Sequence, residues 1–231
     1  MVKDANLITK CRAPLVVGFA AVTLTAWAGG PQPTHVNNAG VAHTQDKKSN
    51  GAAPEVIVYA SDLTESALYE FDVWKDPVSP GGTAAGTPNT GDELDPPPEN
   101  DPHVKFKVPV QQGVPYRCWI HMKVGAPKGK SQANKFWVQF SDAVDKANKE
   151  ILKPRTNSYL TAQGPTQQGW TWVECAPEGA KSATESLIYF QTTGEVTVRM
   201  QAGMEGVGFD QLILSPAKFL DKPPAEAIVK K

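Results

Sequence analysis

Trp170 and Trp172 stand two residues apart, directly after the turn-rich run Gly164-Pro165-Thr166-Gln167-Gln168-Gly169. A spacing of two puts both rings on one face of a strand. An aromatic plane offers a large apolar surface of fixed geometry against which a flat face can stack. If the shared face points inward, both rings are core. Trp170, nearer the loop, is the candidate platform, and Trp172 is the candidate core residue. Tyr159, between Asn157 and Gly164, is a second aromatic on an expected loop. Trp119 and Trp137 are out of phase with Cys118 and Val138, so they face out of the layer those residues build, onto an open surface or under a covering loop. His121 shares that phase and reads as a solvated strand histidine.

Residues for covalent chemistry are sparse. No Gly-x-Ser-x-Gly elbow and no His-Glu-x-x-His helix occurs. Glycoside hydrolysis needs two carboxylates about 5 to 10 Å apart, and no local motif nominates such a pair, so the chain reads as non-enzymatic. Cys118 and Cys175 either pair in an oxidising compartment or, since Cys118 alternates with Tyr116, Ile120 and Met122, pack as small apolar thiols. A metal site is not expected at them. Lys and Arg number 23 against 24 Asp and Glu, a near-balance that supplies no general attraction to nucleic acid or an anionic membrane.

The elements that must hold these residues are short and separated by turn chemistry. Residues 55–60 form a β-branched run, residues 68–74 alternate more weakly, and residues 104–108 alternate without a fault. Residues 116–124, 136–141, 187–191, 196–201 and 208–215 complete the strand series, the third and fourth joined through the hairpin signal Thr192-Thr193-Gly194-Glu195. Helical periodicity is weak and confined to residues 143–152. Many short strands and few helices mean an antiparallel sandwich or barrel. Residues 77–102 carry Pro77, Pro80, Pro88, Pro96, Pro97, Pro98 and Pro102 among four glycines and read as one long loop; a domain boundary there is the alternative.

The 231 residues divide accordingly. Residues 1–28 have the order of a secretory signal peptide: Lys3, Lys10 and Arg12, an apolar run, then Ala26-Trp27-Ala28. An uncleaved single-span anchor is the alternative. Residues 29–54 read as a disordered leader, 55–220 as the folded domain and 221–231 as a flexible tail.

Five segments carry a resemblance: Gly113-Val-Pro-Tyr116-Arg-Cys-Trp-Ile-His-Met-Lys123, Ala133-Asn134-Lys-Phe-Trp-Val-Gln-Phe140, Gly169-Trp170-Thr-Trp172, Leu187-Ile-Tyr-Phe-Gln-Thr-Thr-Gly194 and Gly208-Phe-Asp210-Gln-Leu-Ile-Leu-Ser215. Their order resembles the galactose-binding-like β-jelly rolls of carbohydrate-binding modules, families six and thirty-five, as appended to secreted bacterial proteins. The resemblance implies an all-β, two-sheet antiparallel sandwich over residues 55–220 whose sugar site is built by loops at one edge. It nominates Asn134, just before a strand, beside Trp170, Trp172 and Tyr159; Lys135 stands where relatives often carry an acid. It further implies a structural calcium ion held by Asp62, after the first strand, and Asp210, on the last. A pyranose presents an apolar C–H face and a rim of hydroxyls, which an aromatic plane and a few amides can read.

The expectation is a secreted, monomeric, non-catalytic module that stacks a neutral sugar of a polysaccharide or glycan, with no nucleic-acid partner and no membrane association once the signal is cleaved. A cell-envelope scaffold that uses the same sandwich for protein contacts is the alternative.

Overall fold

A β-branched or alternating segment cannot satisfy its own backbone groups and must find partners. In the computed structural model, which describes residues 43–44, 53–126 and 134–229, the chain does so entirely through antiparallel pairing, and no α-helix forms among the described residues. The expected signal peptide, 1–28, lies outside the described residues, as does most of the leader.

Eight strands build the frame: β1 (Val56–Tyr59), β2 (His103–Val110), β3 (Arg117–Val124), β4 (Lys135–Phe140), β5 (Leu160–Gln163), β6 (Gly169–Ala176), β7 (Gly194–Ala202) and β8 (Gly208–Ser215). One sheet runs β1-β8-β3-β6 and the other β5-β4-β7-β2. Successive strands therefore cross repeatedly from sheet to sheet, which is jelly-roll connectivity. The sheets join along one side, where Thr161 pairs with Ala176 and Ala162 with Cys175.

Alternation dictates the core. In β2, Val104, Phe106, Val108 and Val110 are buried while Lys105 and Lys107 are exposed. Facing them are Cys118, Ile120 and Met122 of β3, Phe136, Val138 and Phe140 of β4, and Phe209, Leu212 and Leu214 of β8. Each large apolar side chain so buried contributes roughly 1.5–3 kcal/mol.

Strands β3 and β8 are buried on both faces except for Lys123. The second face is covered by the chain's own end. Trp119 Nε1 donates to the Phe219 carbonyl at 2.7 Å, Trp172 Nε1 to that of Glu226 at 3.0 Å, and Gln211 and Ile228 exchange two bonds of 2.9 and 2.8 Å. Residues 221–229 thus lie as a strap, because three otherwise unpaired groups of the sheet's outer face, Trp172 Nε1 and the two polar atoms of Gln211, bind the backbone of Glu226 and Ile228. Beneath it, Ile57, Tyr59, Trp119 and Ile213 form a second apolar cluster, joined by Trp172, Phe219 and Ile228.

Two further expectations are corrected. The proline-rich segment contains a strand, Thr83–Gly86, which pairs with Asp72–Lys75 and, at Ala85 and Gly86, with β8. The rest of it is tied to the second sheet, where Gln201 Nε2 donates to the Asp95 carbonyl at 2.6 Å and Arg199 Nη2 to that of Glu99 at 3.2 Å. Residues 143–152 give the short strand Ala143–Val144 and a turn whose backbone N–H groups at Ala147 and Lys149 bond Asp145. Within the leader, His43–Thr44 pairs with Val56 and Ile57.

Candidate functional site

The four connections that leave one end of the sandwich, β1–β2, β3–β4, β5–β6 and β7–β8, converge on a cleft of about 500 Å³. Trp74, Thr87 and Asn89 come from the first, Gly125 and Ala126 from the second, Gln168 from the third and Gly206 from the fourth; Lys123, Val124, Gly169 and Gly208 at the strand ends close the floor.

Glycines make room for its aromatic wall. A Cβ on Gly208 would lie 2.5 Å from Cη2 of Trp74, and one on Gly86 would lie 2.3 Å from the Val207 carbonyl oxygen and 3.0 Å from the same indole. The hairpin Asp72–Lys75/Thr83–Gly86 can therefore lay Trp74 across the end of β8 only because both positions lack side chains. Gly206, at φ +86°, is needed twice over: its Cβ would also strike Asn89. Asn89 Nδ2 donates to the Ala126 carbonyl at 3.0 Å, linking the first connection to the second. Thr87 Oγ1 accepts from Gly206 N–H at 3.0 Å, which leaves the hydroxyl proton free to donate elsewhere.

Among the described residues that line the cleft, Lys123 is the cation and none is a carboxylate. Its Nζ donates to Oδ2 of Asp76 at 2.9 Å and lies 5.8 and 5.5 Å from the ring centres of Trp74 and Trp170. Burial alone would raise the Asp76 pKa, but the Lys123 hydrogen bond and charge and the Val78 N–H outweigh it and hold the carboxyl below its ordinary value. The ion pair is therefore charged at neutral pH, and its stabilisation fades only as pH falls through that lowered pKa. The charge at the cleft is balanced locally.

The aromatics singled out in the sequence are divided. Trp170 pairs with Lys123 across the strands and stacks on His121, the ring centres 5.0 Å apart and 14° from parallel, and it does not line the cleft. Trp172 packs on the other side of His121, at 4.9 Å, beneath the strap. Their shared face is outward, opposite Val173 and Cys175. His121, expected in solvent, is 8% exposed and bonds Oδ1 of Asp210 through Nδ1 at 2.7 Å.

Tyr159 lies elsewhere, 5.8 Å from Trp137, in a groove of about 680 Å³ beside Lys135, Gln163 and the loop residues Glu93–Pro96. Asn134 is buried and committed to the fold: its Nδ2 donates to the carbonyls of Gly164 and Pro165 at 2.9 and 3.1 Å, and its Oδ1 accepts from Gln163. Asp62 sits in the turn Ala60–Asp62, which lies against β8. Asp210 is fully buried, and its Oδ2 has no hydrogen-bond partner. No cluster of three or more His, Cys, Asp or Glu gathers for a metal among the described residues.

Sequence reasoning missed Trp74, Asn89, Lys123 and Gln168. The glycine pair Gly206-x-Gly208, demanding close approach by something bulky, was the available signal.

No family model matches this chain, and no curated protein matches it significantly. Solved structures do. A GH26-CBM35 beta-(1,4)-mannanase from Podospora anserina aligns at 13% identity over 75% of this chain and 28% of its own, with a TM-score of 0.43. The C-terminal CBM6 of LamC, a laminarinase from Zobellia galactanivorans, aligns at 15% identity over 70% of this chain and 98% of its own, with a TM-score of 0.39. An exo-beta-1,3-galactanase from Phanerochaete chrysosporium gives 12% identity over 71% of this chain and 30% of its own, with a TM-score of 0.34. The strand order stands on its own: β1, β3, β6 and β8 in one sheet and β2, β4, β5 and β7 in the other make the jelly-roll sandwich that the sequence resemblance implies.

Proposed function

We propose that this protein is a secreted, non-catalytic carbohydrate-binding module that takes a neutral sugar of a glycan or polysaccharide into the loop-end cleft. The supporting observation is the lining itself. One half-buried indole offers an apolar plane, Lys123, Asn89, Gln168 and Thr87 offer polar atoms for hydroxyls, and Asp76 balances the Lys123 charge. A lining without carboxylates among the described residues suits binding better than acid–base hydrolysis. Trp170 enters this reading only through Lys123, whose ammonium lies 5.5 Å from its ring centre. Tyr159 and Asn134 enter this reading only as supports of neighbouring surface and loop. Export rests on the signal-like residues 1–28, and N-terminal sequencing of the protein recovered outside the cytoplasm tests it.

The test of binding is a glycan array with the whole chain, followed by calorimetric titration of any glycan retained. Trp74→Ala is expected to weaken binding by at least tenfold and Lys123→Met by a smaller factor, while Tyr159→Ala leaves it unchanged. Loss through Tyr159→Ala with Trp74→Ala silent places the ligand in the other groove and overturns the reading. No glycan retained favours the protein-binding scaffold.

A structural calcium ion is the second part of the proposal. The free Oδ2 of Asp210 is a buried acceptor suited to a hard cation, and Asp62, on the turn against β8, would be the other side-chain ligand, with backbone carbonyls completing the shell. An ion bound only by the folded state raises the unfolding midpoint. Chelation is expected to lower it, and re-addition of calcium to restore it; an unchanged midpoint removes calcium from the proposal.

A further inference from the structure

We infer that Cys118 and Cys175 close a cross-strand disulfide when this chain folds in an oxidising compartment. The inference is independent of what the cleft binds. In the β3–β6 ladder, Trp119 stands opposite Glu174, and one more step of the same register sets Cys118 opposite Cys175. The neighbouring strands agree: Cys118 is opposite Leu214 on one side and Cys175 opposite Ala162 on the other, so the four form a row across the joined sheets, facing the core. Residues directly opposed on antiparallel strands have Cα atoms about 4.5–5.5 Å apart, inside the range a disulfide spans. Both residues are fully buried thiols in the structure.

The chemistry is exchange with the disulfide of a small-molecule thiol, such as oxidised glutathione. One cysteine, as thiolate, attacks that disulfide and releases one small thiol. The second then attacks the mixed disulfide at the protein sulfur and releases the other. Two protein thiols lose two electrons and two protons, one S–S bond forms, and the small disulfide is reduced to two thiols. Burial first, then the neighbouring Cys118 sulfur, push the Cys175 thiol well above its ordinary value. Thiolate is therefore scarce in the folded core, so closure belongs to folding, and once made the bond is shielded from external thiols.

The bond would close a loop of about 57 residues, and the chain-entropy account of such a loop implies a large gain in stability. Lys123 and Gly169 of the cleft lie at the other end of these strands, five or more residues away, so the effect is on stability and not on the cleft.

The full chain, unfolded and reduced, is refolded in a mixture of oxidised and reduced glutathione, alkylated under denaturing conditions and digested with trypsin. The expected product is peptide 118–123 linked to peptide 156–181, two hydrogens lighter than the separate peptides. The linked protein is expected to lose about 10 °C of its unfolding midpoint on reduction. The same reductant leaves Cys118→Ala and Cys175→Ala unmoved. Recovery of both peptides separately alkylated, or of either joined to Cys11, overturns the inference, and this mapping on the unmutated chain decides even if the alanine variants fail to fold.

Discussion

The most consequential single atoms in this protein are ones that are missing. Gly208 has no Cβ, and Trp74 occupies that space with its Cη2 2.5 Å from where the atom would be. Adding a methyl group there overpacks a tight contact, which costs typically 1–3 kcal/mol. Gly208→Ala is expected to displace Trp74 and weaken glycan binding while leaving the strand topology intact; unchanged affinity with an unchanged fold would show that Trp74 is not the platform. At the same scale, the sequence was legible where a residue's task follows from its immediate neighbours and opaque where it depends on distant partners. Lys105 and Lys107 had to point to water because Val104, Phe106 and Val108 pointed inward. Nothing local to His121 announces Asp210, 89 positions away, and nothing local to Asn134 announces that the carbonyls of Gly164 and Pro165 consume its amide. Gln139 is the extreme case: its Nε2 lies within 3.0 Å of the carbonyls of Lys153, Thr156 and Ser158, and its Oε1 accepts from Arg155 N–H. One buried amide thereby organises the loop that leads to Tyr159, although in sequence it is merely a polar residue in a strand.

Elements were readable in proportion to how cleanly one face met solvent. Strand β2 alternates and was placed within a residue or two of its observed ends. Strands β3 and β8 carry apolar residues in both phases, so their period identifies a strand but not which face is core; the answer depends on what covers the second face. That cover is the strap, whose prolines and charges read as loose chain because its stability comes from carbonyls, which every sequence has, meeting indole and amide donors on the sheet. Deleting residues 221–231 would strand Trp172 Nε1 and both polar atoms of Gln211 and uncover the second apolar cluster. The expected loss is about 2–4 kcal/mol, from lost burial and unmade hydrogen bonds, seen as a lower thermal midpoint with increased binding of a hydrophobic dye. A midpoint unchanged by the deletion would mean that the strap adds nothing to stability. The hairpin Asp72–Lys75/Thr83–Gly86 was hidden for a related reason: glycine and proline argue against a strand, yet here glycine is what lets the tip of a tryptophan reach the end of β8.

For the whole molecule, strand count and hydropathic spacing were enough to indicate a sandwich, and the order of five segments was enough to suggest its connectivity. The position of the cleft was not legible at this level. It depends on four connections, drawn from positions as far apart as 74 and 208, arriving at one end, which follows from strand order and not from any segment alone.

That arrangement separates two kinds of change. The side chains that hold the sheets together point between them, whereas most of the cleft lining hangs from turns contributed by four independent crossovers. A substitution at position 89 or 168 alters the rim without disturbing a packed neighbour in the core, while one at position 86 or 208 alters the seat on which the rim's indole rests. The rim can therefore diverge residue by residue, and the seat cannot. Among proteins sharing this seat, Gly86, Gly208 and the indole they accommodate should vary together, and the polar positions around them should vary alone.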